Sequence, residues 1–216
     1  MNAKALNKAS LASFDVDAQN TFTPVCPAEL PVPGGNEIAG ELNAQAALAS
    51  LRVGSKDAHS PAAIWVATET APQFSPVAGQ NVDIRWNIHG VPGTLGFELI
   101  EGLPRPADYD YFVWKGVEPD MHPYGACYHD LAGRRSTGVI EFLRSRGIET
   151  VLVGGLATDY CVKTTALQLR AAGFDVVGNL GACRGIAGDT EAKAIAEMAA
   201  AGIRFVDRAA DIVVEV

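Results

Sequence analysis

Residues 150–173 read TVLVGGLATDYCVKTTALQLRAAG. The first seven are apolar, β-branched or glycine, with no alternation of polar and apolar positions, which is the pattern of a strand buried on both faces. Residues 159–172 then carry a helical pattern, with Thr158 where an N-cap would stand and Gly173 where a left-handed residue would close the helix. A buried strand running straight into a helix is half of a crossover between parallel strands.

The same pairing recurs on either side. Residues 11–16, 51–53, 111–114, 175–177 and 204–206 read as further apolar strands. Helices are predicted over residues 36–50, with Ile38, Leu42 and Ala49 on one face, over 137–146, with Val139, Ile140 and Leu143, and over 190–201. Asn36 and Asp189 are candidate N-caps, and Gly147 and Gly202 candidate helix ends. Alternation from start to end predicts an α/β fold: a single doubly wound, mostly parallel sheet with helices on both faces. The 216 residues suit one domain, 1–216. Residues 60–103 break the pattern, being rich in Pro, Gly and Asn and too long for a connector; Trp65, Phe74, Trp86 and Phe97 predict an ordered, pocket-forming loop insertion there.

Composition excludes several roles. A formal charge of -8, with Arg134 and Arg135 as the only adjacent basic pair, offers no footprint for nucleic acid or an anionic membrane. No apolar run reaches signal-peptide or membrane-span length, and a cytoplasmic location is expected. The four cysteines, Cys26, Cys127, Cys161 and Cys183, form no C-x-x-C pair, so neither a zinc ribbon nor a disulfide framework is signalled.

In a sheet of this kind ligands bind beyond the carboxyl ends of the strands, where Asp17, Asp57, Lys115 and the turn before Cys161 fall. Cys161 is the candidate nucleophile; on the first turn of a helix and near a cation, its pKa is expected below the ordinary ~8.5. Taken alone it reads better as an inert core thiol, and it is the companion residues that favour the nucleophile. Asp17 is a candidate proton acceptor or a loop carboxylate, and Lys115, following an apolar strand, needs an anionic partner. Asp57 and His59 lie on one side of an extended segment, and His89 would complete a two-histidine, one-carboxylate metal set. An Asp-x-His pair without context is a weak signal. Trp86 reads as core or as a platform for a flat ring. His122 and His129 lie in a polar loop and are assigned no role, and Cys26, Cys127 and Cys183 are read as structural.

Five motifs occur in order: V-D-A-Q-N-x-F at 16–22, S-K-D-x-H at 55–59, W-x-x-H-x-x-x-G-T-x-G at 86–96, W-K-G at 114–116 and G-x-A-T-D-Y-C-V at 155–162. Together they resemble the isochorismatase-like cysteine hydrolases, and specifically their nicotinamidase/pyrazinamidase branch. The resemblance implies a triad of Asp17, Lys115 and Cys161, and an oxyanion hole from the backbone N–H groups of Ala157 and Cys161 after a cis peptide at Leu156–Ala157. It also implies a ring-binding pair, Phe22 and Trp86, and one divalent metal on Asp57, His59 and His89, with zinc the first choice and manganese or iron the alternatives. Some relatives add a ligand from the intervening loop, for which Glu69 is the nearest candidate. The implied activity is hydrolysis of a linear carboxamide, nicotinamide, to nicotinate and ammonia through a cysteine thioester, within NAD salvage. The alternatives are another hydrolase of the superfamily, of carbamoyl-amide, ureidoacrylate or isochorismate type, or a non-catalytic binding protein on the same fold. The partner is then a small-molecule amide; a homo-oligomer is left open. Thr21 replaces an acidic residue common in the family, which leaves the hydrogen bonding around that position unassigned, and Gly90 stands where cysteine is common.

Overall fold

The computed structural model describes residues 5–215; residues 1–4 and 216, the ends of the expected 1–216 domain, lie outside the described residues. In chain order the elements are β1 (Leu6–Asn7), β2 (Leu11–Val16), α1 (Ala39–Leu48), β3 (Leu51–Asp57), β4 (Tyr111–Lys115), α2 (Val139–Ser145), β5 (Thr150–Leu156), α3 (Lys163–Ala171), β6 (Asp175–Arg184), α4 (Gly188–Ala200), β7 (Arg204–Val206) and β8 (Val214–Glu215). Six strands form one all-parallel sheet in the order β4-β3-β2-β5-β6-β7, and β1 and β8 make a separate parallel pair. The order reverses between β2 and β5, the switch point at which α/β sheets place their ligands.

β2 and β5 are buried along their whole length, Ser13 and Asp15 of β2 included, and both strands have the bounds that their sequence runs predict. Within β5, Val151 and Val153 join Phe14, Leu143, Leu169 and Met198 in the core beneath α2, α3 and α4, while Leu156, on the opposite side, packs with Ile38, Leu42 and Trp65. Fully burying one such side chain contributes about 1.5–3 kcal/mol, so the two layers hold the sheet from both faces. Gly155, at φ +136°, is required where β5 passes β2, because a β-carbon there would run into the Val16 carbonyl oxygen.

β3 and β6 run longer than their apolar cores predict. Ser55, Lys56 and Asp57 continue β3 because that strand lies inside the sheet and its ladder to β4 extends to Asp57↔Lys115. The N-cap expectations fail. The α1 N-cap is Ile38, preceded by a 3-10 turn that includes Asn36, and Asp189 lies inside the first turn of α4. Thr158 begins a π-helical turn, Thr158–Val162, whose Ala157 carbonyl accepts from Val162 at 3.1 Å; the Thr158 hydroxyl donates to Glu191 instead, at 2.8 Å. Gly147, Gly173 and Gly202 do take positive φ after α2, α3 and α4.

Residues 60–103 are ordered by backbone bridges such as Val66↔Trp86 and Pro76↔Ile84. Trp65, Trp86 and Phe97 are buried, and Phe74 lies exposed. No helix among the described residues is long and apolar enough to cross a membrane.

Candidate active site

Asp17 leaves the end of β2 in the left-handed region, φ +46°, which turns its carboxylate back over the sheet edge. The Ser55 hydroxyl of β3 fixes it twice, accepting from the Asp17 backbone N–H at 3.2 Å and donating to Asp17 Oδ1 at 2.6 Å. Lys115, the last residue of β4, places Nζ 3.0 Å from Asp17 Oδ2 and in a close ion pair with Asp57 Oδ1, and donates to the Pro123 carbonyl at 3.1 Å. The same ammonium lies 3.7 Å from Cys161 Sγ. All four residues are buried.

The electrostatics follow from that crowding. Burial alone would lower the Lys115 pKa, but Asp17 and Asp57 outweigh it and hold the ammonium well above its ordinary value. Asp57, buried as deeply, is nonetheless held well below the usual carboxylate range by Lys115 and the nearby imidazoles. Burial raises the Asp17 pKa, with Lys115 opposing and Asp57 reinforcing the rise. Cys161 departs from expectation: burial, joined by Asp17 and Asp57, pushes its thiol well above the ordinary value, and Lys115 only partly offsets this. The resting sulfur is therefore a thiol, and an acceptor for its proton stands beside it in Asp17.

A second group adjoins the first. His59 Nε2 lies 3.3 Å from Asp57 Oδ1 and His89 Nε2 3.8 Å from Asp57 Oδ2. Each imidazole is oriented through its other nitrogen: His59 Nδ1 donates to the Gly116 carbonyl at 3.0 Å and His89 Nδ1 to the Asn87 carbonyl at 2.7 Å. Gly116 has φ +72°, and a β-carbon there would strike the His59 ring. Both Nε2 lone pairs are thus presented inward, the arrangement of metal-ligating histidines. His59 Nε2 is buried without a hydrogen-bond partner, and such an atom fits a cation site. Gln19 locks the position of Asp57 by donating to its carbonyl at 2.9 Å and accepting from its N–H at 2.8 Å.

Three placements were not legible in the sequence. His122, assigned no role, is buried with its ring nitrogens grouped with those of His59 and His89 within 4.8 Å of one another. It lies in a polar loop without periodicity, and only its closeness in sequence to Lys115 hinted at it. Glu69 is exposed and lies outside the grouped donors found among the described residues, because the loop carries its tip away from the sheet edge. The carboxylate missing at Thr21 is supplied by Glu29, which accepts a close hydrogen bond from the Thr21 hydroxyl. The Gly90 N–H donates to the Thr21 hydroxyl oxygen at 3.0 Å and to Glu29 Oε2 at 3.2 Å, and the Gly90 carbonyl accepts from the His59 N–H at 3.1 Å. This chain of bonds ties the His89–Gly90 segment to His59. Cys183 is raised in the same direction as Cys161, to about 12, chiefly by burial.

Above these groups opens a small pocket, with a free volume of about 20 Å³, whose walls include Phe22, Trp86, His122, Tyr124, Ala157 and Cys161. Its lining is mainly aromatic and apolar with a few polar groups, the make-up of a small-molecule site. The Leu156–Ala157 peptide at its edge is cis. A larger, open groove between β1 and β7 gathers no imidazole or thiol.

Fold and site together define a class, the small-molecule hydrolases built on a parallel α/β sheet. Residues 14–210 match the Isochorismatase domain, and the chain belongs to that family. It is 30% identical to a nicotinamidase of Acinetobacter baylyi over 174 residues, 79% of each chain. Among solved structures, a nicotinamidase/pyrazinamidase of Acinetobacter baumanii superposes with a TM-score of 0.85 at 28% identity, over 94% of this chain and 98% of that one. A pyrazinamidase of Pyrococcus horikoshii in complex with zinc gives a TM-score of 0.72 at 30% identity, over 91% of this chain and 98% of that one.

Proposed function

We propose that this protein is a nicotinamidase, an amidohydrolase that converts nicotinamide to nicotinate and ammonia. The observation that carries the reading is a buried thiol, acid and ammonium on the floor of a small pocket lined by aromatic side chains, with Lys115 Nζ 3.0 Å from Asp17 and 3.7 Å from Cys161. The family and the nicotinamidase relatives support the same activity. The imidazole group beside Asp57 favours a substrate with a ring nitrogen over the isochorismate, ureidoacrylate and carbamoyl-amide alternatives.

In this reading Asp17 takes the Cys161 proton as sulfur attacks the carboxamide carbon, and the N–H groups of Ala157 and Cys161 receive the developing oxyanion. Protonated Asp17 then gives its proton to the departing ammonia, leaving a thioester. Asp17 next accepts a proton from water as the water attacks the thioester and returns it to the departing sulfur, so that the thiol and the Asp17 carboxylate are both restored and the acid product gives up its proton to ammonia and leaves as nicotinate. Lys115 keeps one positive charge against the carboxylates throughout. Phe22 and Trp86 flank the ring, and residues 60–103 form the wall that carries Trp86 and His89. Asp57, His59 and His89 hold one divalent metal, with zinc first on account of the two imidazole donors and the zinc-bound Pyrococcus relative. When bound, the metal supplies a Lewis-acid anchor for the pyridine nitrogen.

The test is ammonia release from nicotinamide by the purified protein and by Cys161→Ala. Release by the wild type that falls to background in the variant supports the reading; equal release by both removes Cys161 from the mechanism.

A further inference from the structure

His122 is held in place by its own backbone surroundings. Its N–H donates to the Asn81 carbonyl at 2.9 Å, the Met121 carbonyl before it accepts from the Trp65 indole at 3.0 Å, and the Pro123 carbonyl after it accepts from Lys115 Nζ at 3.1 Å. Three consecutive residues are thus tied to elements of the site. The ring that they position is 3% exposed and lies parallel to His59, with centroids 5.0 Å apart and planes inclined by 15°. It meets Trp65 edge-on at 4.5 Å and lies parallel to Trp86 at 5.9 Å.

Neither nitrogen of this buried ring has a hydrogen-bond partner, and the same holds for His59 Nε2. A buried polar atom left unpaired costs about 1–3 kcal/mol, and a single cation would satisfy His59 Nε2 together with one nitrogen of His122. Because His59 and His89 each spend Nδ1–H on a carbonyl, their Nε2 atoms have only lone pairs to offer. His122 adds a third nitrogen within 4.8 Å of both. Converging lone pairs repel one another and are reconciled by a cation.

We propose that His122 is a protein ligand of the metal, so that the donor set is three imidazoles with the Asp57 carboxylate rather than two imidazoles and a carboxylate. The inference rests on the reading of Asp57, His59 and His89 as a metal site and extends it to a residue from a different loop. A third nitrogen donor shifts preference toward zinc and cobalt and away from manganese, which favours oxygen. It also joins the loop after β4, which carries Pro123 and Tyr124, to the loop insertion that carries His89.

The test compares apo wild type, His122→Phe, His122→Ala and His89→Ala, each titrated with cobalt(II) and with zinc against a competing chelator. Loss of an outer hydrogen-bond partner weakens metal binding 10–100-fold, so loss of a direct ligand predicts at least about a 100-fold weaker zinc affinity in both His122 variants. The cobalt(II) visible spectrum changes in band position and intensity, and added imidazole restores the wild-type spectrum to His122→Ala, a rescue that a packing role would not give. Wild-type affinity and spectrum in His122→Phe, alongside metal loss in His89→Ala, overturn the role of His122 while leaving the metal site standing. Failure of the wild type to bind either ion overturns both. Circular dichroism of each apo variant separates ligand loss from misfolding, and imidazole rescue in His122→Ala decides the question if His122→Phe does not fold.

Discussion

Asp15 and Asp17 are separated by one residue, are equally buried, and each faces a cation, yet one is a brace and the other sits in the reactive cluster. Asp15 Oδ2 receives Arg52 Nη2 at 2.6 Å, Arg52 Nε at 2.9 Å and the Tyr109 hydroxyl at 2.8 Å, and the guanidinium also lies over the Tyr109 ring at 5.0 Å. That cluster is one anion to one cation, with the Arg52 side chain 16% exposed and so able to reach water. Asp17 shares a fully buried Lys115 with Asp57 and stands beside the Cys161 thiol. Two carboxylates compete there for one ammonium, so a proton that leaves the sulfur finds an acceptor. Residue type and burial are the same in the two cases, and the difference comes from what is set opposite: Arg52 of β3 and Tyr109 just before β4 for Asp15, and Asp57 of β3, Lys115 of β4 and Cys161 after β5 for Asp17. A closed pair stabilises; an unbalanced cluster can exchange protons.

The largest effect that separates the two regions is on turnover. Asp17→Asn removes the proposed proton acceptor while keeping the shape, and kcat for ammonia release from nicotinamide is expected to fall about 10²–10⁴-fold; a loss of less than tenfold would take Asp17 out of the proton path. Next comes stability. Arg52→Met strands Asp15 in the interior, and breaking a buried pair in this way costs about 3–5 kcal/mol, read by urea unfolding, while kcat at 25 °C stays within about threefold. A parallel drop in kcat would mean that the two clusters are not independent.

The smallest effect is a pH dependence. Burial raises Asp15 from 3.8 to about 6, against the pull of Arg52. A carboxyl whose folded pKa is raised contributes stability that is present below its unfolded value and lost as pH rises through its folded value. At about 1.4 kcal/mol per pKa unit, that is on the order of 3 kcal/mol. The unfolding free energy of wild type relative to Asp15→Asn should therefore decline by roughly that amount between about pH 4 and pH 7. A difference that stays flat over that range would show Asp15 titrating alike in the folded and unfolded chain.

How far the sequence could be read depended on whether a residue's surroundings are local. β2 and β5 were legible to the residue because every position in them is buried, and the helix-ending glycines because a left-handed turn leaves few alternatives. β3 and β6 were read short, since Lys56, Asp57 and Asn179 look like loop residues until neighbouring strands pair with them. Candidate caps failed for a similar reason: the Thr158 hydroxyl found Glu191 across the fold before it could cap its own helix.

The sequence by itself determined the alternation of strand and helix, hence the parallel sheet, and the ends of β2, β3 and β4 as the place for Asp17, Asp57 and Lys115. These follow from periodicity and from strand length, which are properties of neighbouring residues along the chain. Only the tertiary structure decided that Cys161 rests as a thiol, that Glu29 supplies the carboxylate absent at Thr21, that Glu69 stays outside and that His122 comes in. Each of those depends on desolvation and on charges brought together from distant parts of the chain, and such distances are fixed only when the sheet has formed.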